Sequence, residues 1–562
     1  AARGFAHVGV IQVLEEAGIQ PDLVVGTSAG SLVAALYASG KNSTQLRRVA
    51  ETMEEAEITD WMMPILNRGA LRGEALARYV NTQVGGRLIE QMKIPLGIVA
   101  TDLHNGEPML FQRGNTGSAV RASSAVPAVF QPVKIGAREY VDGGLVTFNN
   151  TATGYDPVLN VAVAPSSTVF NHDAINSYSL TGTGSIGGIG SLKKQGGGTL
   201  TMGLVNTYTG ATILEGGTLT VDALANGGIA SAIGASSASS NNLVFAGGTL
   251  DYSGPATSIN RGYTVDAATN LILSTLSIDN DLTLSGQVTM TSVGRFQKTG
   301  AGVLTLTYPG ANVLAMTGDN DATPGYVISQ GGLVLAGAGT QTNAITGQFR
   351  LGTTASNTTA LTLDSSTLTV NGPSMASLGD DSISTITIGG AAVYQANGRF
   401  NVGYGANSVA NVIVEGSGTL NKVGGWLSVG NSSNATGFMT VKDNGSVNSN
   451  GDFNVSDVGT STGTLTIEGA GTVNSSGPMF IGKNGGTTGT LNLSSGTLNV
   501  TANFYVAREA TSIGTATQTG GSSTMGGTGE VFIGADGSGT YTLSGGTMAA
   551  NGWSIYPKLY GS

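Results

Sequence analysis

Two rhythms of apolar residues divide the chain. In the first, which runs to about residue 146, helical spacing alternates with short buried runs. Phe5, Val8, Ile11 and Leu14 recur at helical intervals and Gly18 stops the pattern, which predicts a helix over residues 5–16. Leu23, Val24 and Val25 form a compact β-prone run, and Leu32, Ala34, Ala35 and Leu36 mark a helix over residues 28–38. Amphipathic stretches over 43–57 and 72–84 predict two further helices, the first opened by a Ser43/Thr44 cap. Residues 94–101 read as a second strand, 118–125 as a helix, and 133–141 as a hairpin turned at Gly136. This segment is α/β.

The second rhythm is shorter and repeats. Three-residue apolar clusters recur at FNVG (400–403), LSVG (427–430), FNVS (453–456), MFIG (479–482), FYVA (504–507), VFIG (531–534) and WSIY (553–556). Their aliphatic members Val402, Val429, Val455, Ile481, Val506, Ile533 and Ile555 are 27, 26, 26, 25, 27 and 22 residues apart. Between them lie Gly-Thr-Leu strands such as GTLTI (463–467) and GTLNL (489–493), separated by Gly, Asn and Ser turns. That periodicity predicts a parallel β-solenoid in which each coil stacks on the next, Val, Ile and Leu facing inward and Thr, Ser and Asn outward. The low aromatic content fits a narrow interior.

Composition moves the same boundary into view. Of the first 146 residues 27 are charged, and of the remaining 416 only 33, while glycine goes from 17 to 71. The fold class expected is therefore multidomain. The divisions are an α/β domain over 1–146, a connecting segment over 147–180, looser β-strand repeats over 181–399 and regular coils of about 25 residues over 400–562. The net charge of −10, with no basic run longer than Arg47-Arg48 or Lys193-Lys194, argues against nucleic acid as a partner. The absence of cysteine excludes disulfides and thiolate metal sites. No apolar run is long enough for a transmembrane helix. The chain opens Ala-Ala-Arg without an initiator Met, so it reads as a fragment whose export signal, if any, lies upstream.

The chemistry concentrates at Gly26-Thr27-Ser28-Ala29-Gly30. A strand, then G-x-S-x-G, then a helix is a nucleophile elbow, a strained turn that presents the serine hydroxyl clear of the sheet. Its glycines are expected where side chains would strike the flanking strand and helix. The histidines offer little. His7 falls within the first helix, His104 lies on a loop, and His172, the only histidine after Asp142, lies in a Ser/Asn-rich stretch.

AARGFAHVGV (1–10), VVGTSAGSLVAALYASG (24–40), VATDLHNGE (99–107), RASSAVPAVFQPV (121–133) and YVDGGL (140–145) together resemble the patatin-like phospholipases, in particular the bacterial patatin-like proteins. The resemblance covers about a quarter of the chain. It implies a Ser–Asp dyad, with Ser28 as nucleophile and Asp142 of the Asp142-Gly143-Gly144 motif as its base, needing neither metal nor cofactor. It also implies an oxyanion site built from the Ala29 N–H and from a Gly-rich loop ahead of Arg3-Gly4, most of which this chain lacks. Arg3 reads equally as a solvated loop arginine. The family pattern stops near Val146, so the segment is expected to be clipped on both sides.

The blocks GGGTLTM (196–202), NTYTG (206–210) and EGGTLTV (215–221) resemble the autotransporter-associated β-strand repeat. This resemblance implies a passenger exported to a Gram-negative cell surface or outer membrane, whereas the hydrolase segment alone implies a cytoplasmic protein. The array shows no catalytic cluster. Asp319, Asp321, Asp380 and Asp381 read as solvated turn acids. Three functions remain: a serine lipid acyl hydrolase meeting a lipid or other acyl-ester substrate at a membrane surface, a surface adhesion scaffold with an inert hydrolase remnant, and a misassembled gene product.

Overall fold

The computed structural model describes residues 6–52, 69–103, 108–126, 128–150, 152, 154–269, 272–290, 294–314, 319–320, 323–337, 341–525 and 529–550. They form two compact units. One takes in the chain up to Tyr155 with Val161–Asn176 and Ile186–Lys193. The other takes in Asp156–Asn160, Ser177–Ser185 and the chain from Lys194 onward.

In the first unit the helices are α1 (Ala6–Glu16), α2 (Ala29–Ala38), α3 (Ser43–Thr52), α4 (Glu74–Gln83) and α5 (Thr116–Ser123). Its strands up to residue 149, among the described residues, are β1 (Val24–Thr27), β2 (Gly69–Leu71), β3 (Leu96–Asp102), β4 (Pro108–Phe111), β5 (Ala128–Phe130), β6 (Val133–Ile135), β7 (Arg138–Asp142) and β8 (Leu145–Asn149). The helix expected over 43–57 is seen to Thr52, and its remainder lies outside the described residues. The expected hairpin is β6–β7, turned at Gly136 with φ 65°. Strands β2, β4, β5 and β8 were not anticipated, and β8 spans Val146, where the family pattern was expected to stop.

β3 is the centre of a five-stranded sheet. Ile98 pairs with Gly26 on one side and Phe111 on the other, and Ala100 with Met109 on one side and Asp142 on the other. β4 therefore lies along one edge of β3, and β1 and β7 share the opposite edge end to end. β1 runs parallel to β3 and β7 antiparallel, so their C-terminal ends meet, Thr27 opposite Val99 and Asp142 opposite Ala100. α2 is apolar nearly all round and is buried from Val33 to Ala38. It packs with Leu46, Leu76, Val80, Val84, Ile89, Leu96, Ile98 and Val120. Each such Leu, Val or Ile contributes about 1.5–3 kcal/mol on burial, before the entropy of ordering it.

The second unit is an in-register stack of parallel strands. One 15-stranded sheet runs from Tyr178–Leu180 to Val531–Ile533, and a 12-stranded sheet runs from Thr257–Ile259 to Ser538–Leu543. A third series continues from Thr212–Leu214 to Thr547–Ala550. The periodic aliphatics read from the sequence are register partners: Val402, Val429, Val455, Ile481, Val506 and Ile533 lie in one column. Ile555 lies outside the described residues.

Two interior features depart from the expected narrow aliphatic core. Phe245, Tyr263, Phe296, Tyr326 and Phe349 are fully buried in the upstream coils, with neighbouring ring centroids 5.4–6.1 Å apart. The coils there are wide enough to pile rings along the axis. Lys194, Lys298 and Lys422 are also buried. Lys298 stands in register between Leu276 and Ile328. Its Nζ donates to the carbonyls of Gly300 (2.8 Å), Gly302 and Gln330 (2.9 Å). Lys194 likewise caps Gln195, Gly196 and Gly216, and Lys422 caps Gly424. The ammonium satisfies glycine-corner carbonyls that the strand ladder leaves over. On the outer face, the amides of Asn421, Asn448, Asn474 and Asn499 hydrogen-bond from coil to coil at 2.8–2.9 Å.

Candidate functional site

The end of β1 and the start of α2 are joined by Ser28, whose backbone stands at φ 54°, ψ −133°. For a non-glycine residue this is a strained conformation, held by the structure on either side. The Ser28 N–H donates to Ser123 Oγ at 2.8 Å, and the Ser123 hydroxyl donates to the Val99 carbonyl at 2.6 Å. One side chain of α5 thus ties the elbow to β3. Gly26 permits the close approach of strand and helix, since a Cβ there would sit 2.6 Å from the Gly30 carbonyl oxygen and from Ser31 Cα. Gly30 differs from the sequence expectation. A Cβ at this position meets no described atom within 4 Å.

Asp142 arrives from the opposite direction at the end of β7. Its side chain is buried, and its Oδ2 accepts the Ser28 hydroxyl at 2.5 Å. Oδ1 accepts the Gly144 N–H at 2.9 Å and the Ser166 hydroxyl at 3.2 Å. The Asp142 N–H donates to the Ala125 carbonyl at 3.0 Å, and the Gly143 N–H to the Ser123 carbonyl at 3.3 Å. Gly143 is required by contact, because a Cβ would stand 2.0 Å from the Val99 carbonyl oxygen. The direct serine–carboxylate bond leaves no room for an imidazole between the two. His172 instead has its Nδ1 2.5 Å from the Asn176 carbonyl, and His7 is exposed on α1.

Ala29 opens α2, where backbone amides have no intrahelical acceptor. Its N–H follows directly on Ser28 at the positive end of the helix dipole, where negative charge is favoured. Ser31 N–H is already taken by the Ser28 carbonyl at 2.8 Å. Arg3, Gly4 and His104 lie outside the described residues. Among the described residues no group of three or more His, Cys, Asp or Glu is placed to hold a metal ion.

The arrangement is a hydroxyl on a strained turn, a buried carboxylate in direct hydrogen bond with it, and a helix N-terminus beside both. Residues 1–154 match the patatin-like phospholipase family. The N-terminal segment carries a patatin domain. An uncharacterized NTE family protein of Mycobacterium tuberculosis is 38% identical over 146 residues, 26% of this chain and 40% of the relative. Mouse patatin-like phospholipase domain-containing protein 6 is 31% identical over 137 residues, 24% of this chain and 10% of that protein. The chain thus spans less than half the length of either patatin relative. Downstream, residues 192–221 match the passenger-associated-transport-repeat. A Brucella suis autotransporter adhesin is 32% identical over 240 residues, 42% of this chain and 6% of the adhesin.

Two residues of the patatin-domain site escaped the sequence reading. Ser123 was within the quoted RASSAVPAVF block but carried no local signal of its role, since its partners Ser28 and Val99 are 95 and 24 residues away. Ser166 lies beyond the family match altogether.

Proposed function

We propose that the patatin domain is a serine acyl hydrolase acting on lipid or related acyl esters, with Ser28 as nucleophile and Asp142 as general base. The observation that carries this reading is the 2.5 Å hydrogen bond from Ser28 Oγ to Asp142 Oδ2 across a strained elbow. As Oγ adds to the ester carbonyl carbon, Asp142 takes its proton. The resulting oxyanion develops beside the Ala29 N–H. Collapse breaks the ester C–O bond, and the proton passes from Asp142 to the departing alkoxide. Water then adds to the acyl-Ser28 carbonyl, giving a proton to Asp142. The second collapse returns that proton to Ser28 Oγ and releases the carboxylic acid. Every step uses residues of this chain and needs no cofactor.

The similarity to an autotransporter adhesin over 240 residues supports a secreted or surface setting for this chemistry. The same similarity favours a second reading, in which the solenoid is an adhesion scaffold and the hydrolase segment is inert. A fluorophosphonate probe separates them. Labelling of the full chain that vanishes in Ser28→Ala supports the hydrolase. A folded chain that takes no label overturns it and leaves the scaffold.

A further inference from the structure

Asp142 is held by a residue from outside the family-matched segment. The strand Ser167–Asn171 pairs in parallel with β8, with Ser167 opposite Leu145 and Asn171 opposite Asn149. That register brings Ser166 beside Gly144. The Ser166 N–H donates to the Gly144 carbonyl at 2.8 Å, and its hydroxyl reaches Asp142 Oδ1 at 3.2 Å. The contact exists only because residue 144 lacks a side chain. A Cβ there would sit 2.5 Å from Ser166 Oγ. The match to the patatin family ends at residue 154, so this donor comes from the chain beyond it.

We infer that Ser166 is a positioning residue for the dyad, resting on the hydrolase reading of Ser28 and Asp142. With Gly144 N–H and Ser166 O–H both on Oδ1, the carboxylate is turned so that Oδ2 faces the Ser28 hydroxyl. A charge-assisted hydrogen bond of this kind fixes the plane of the group as well as stabilising it. Removing it leaves Oδ1 with the Gly144 N–H alone, so the plane of the carboxylate is held less firmly, which slows proton transfer without altering what the ester touches.

The test compares the full chain with Ser166→Ala, Ser166→Thr and Ser166→Cys in p-nitrophenyl ester hydrolysis, with Ser28→Ala as the blank. The Ala variant is expected to lose about tenfold in kcat with KM changed by less than about twofold, and Thr to restore most of the loss. Cys, nearly the same size but a weak donor, should behave like Ala, so it serves if Ala does not fold. An active parent whose Ala or Cys variant keeps full kcat overturns the inference and leaves the hydrolase standing. An equal loss in the Thr variant, or a loss carried mainly by KM, overturns it too. A folded parent no faster than Ser28→Ala overturns the hydrolase reading and this inference with it.

Discussion

Ser28 and Asp142 are 114 residues apart in the chain, yet the serine hydroxyl donates to the carboxylate at 2.5 Å. The sheet makes the meeting unavoidable. β1 and β7 approach along one edge of β3 from opposite directions and stop at adjacent positions, Val99 and Ala100. Strand register, rather than loop flexibility, sets the distance between the Ser28 hydroxyl and the Asp142 carboxylate. Groups held this way need little reorganisation in the transition state.

Removing either partner is expected to abolish the chemistry and spare the fold. Ser28→Ala and Asp142→Asn should each reduce ester hydrolysis by roughly 10³-fold or more, since residues that act as a unit fail together. The double variant should be no worse than the single ones. Additive losses would show that the two act independently.

Ser123→Ala removes both the acceptor for the Ser28 N–H and the donor to the Val99 carbonyl. Leaving such partly buried groups unmatched costs about 1–3 kcal/mol. The thermal midpoint of the patatin domain should fall, and fluorophosphonate labelling should slow. Labelling at the parental rate by a destabilised variant would limit Ser123 to a structural part.

The glycines of the site should separate sharply. Gly143→Ala places a methyl against the Val99 carbonyl and Gly26→Ala places one against α2, so both should lose soluble, labelled protein. Gly30→Ala, with no described atom within 4 Å, should fold and label normally. Expression, circular dichroism and labelling of the three variants decide the matter. Equal damage at all three positions would contradict the packing described for the elbow.

The solenoid carries a pH signature of its own. Burial holds Lys194, Lys298 and Lys422 down at about 8, against the ordinary 10.5. Below about pH 8 both folded and unfolded chains carry these charges, and the full burial cost is present. Between about 8 and 10.5 the folded chain releases protons that the unfolded chain still holds, so unfolding free energy rises with pH. The urea midpoint is therefore expected to be higher at about pH 9.5 than at about pH 7.5, and Lys298→Met should shrink the difference. A midpoint that falls over this interval would contradict it.

What the sequence made legible was whatever depends on neighbours along the chain. The strand, turn and helix around Ser28 and the Val402-to-Ile533 column rest on local spacing, and the structure has a strand, a turn and a helix at the first and one register column at the second. What stayed hidden depends on pairing across the fold. Ser123 and Ser166 look like ordinary loop or helix serines until β3 and β8 bring them to the dyad. The buried lysines gave no signal for a related reason. A lysine among Gln, Thr and Gly reads as surface, and only a corner of carbonyls at the end of a strand turns it inward. The aromatic pile was missed because the interior width of a coil is set by three sheets at once.

The in-register column has a consequence for how this solenoid tolerates change in length. Because Val429 and Val455 occupy equivalent seats, excising residues 430–455 would join two ends that already match, and the neighbours of the lost coil could stack on each other. Loss of a single residue from a strand would instead turn every following side chain of that strand inside out. Selection on such a molecule therefore acts in whole-coil quanta: duplication and deletion of about 26 residues are the small steps, and a one-residue slip is the large one.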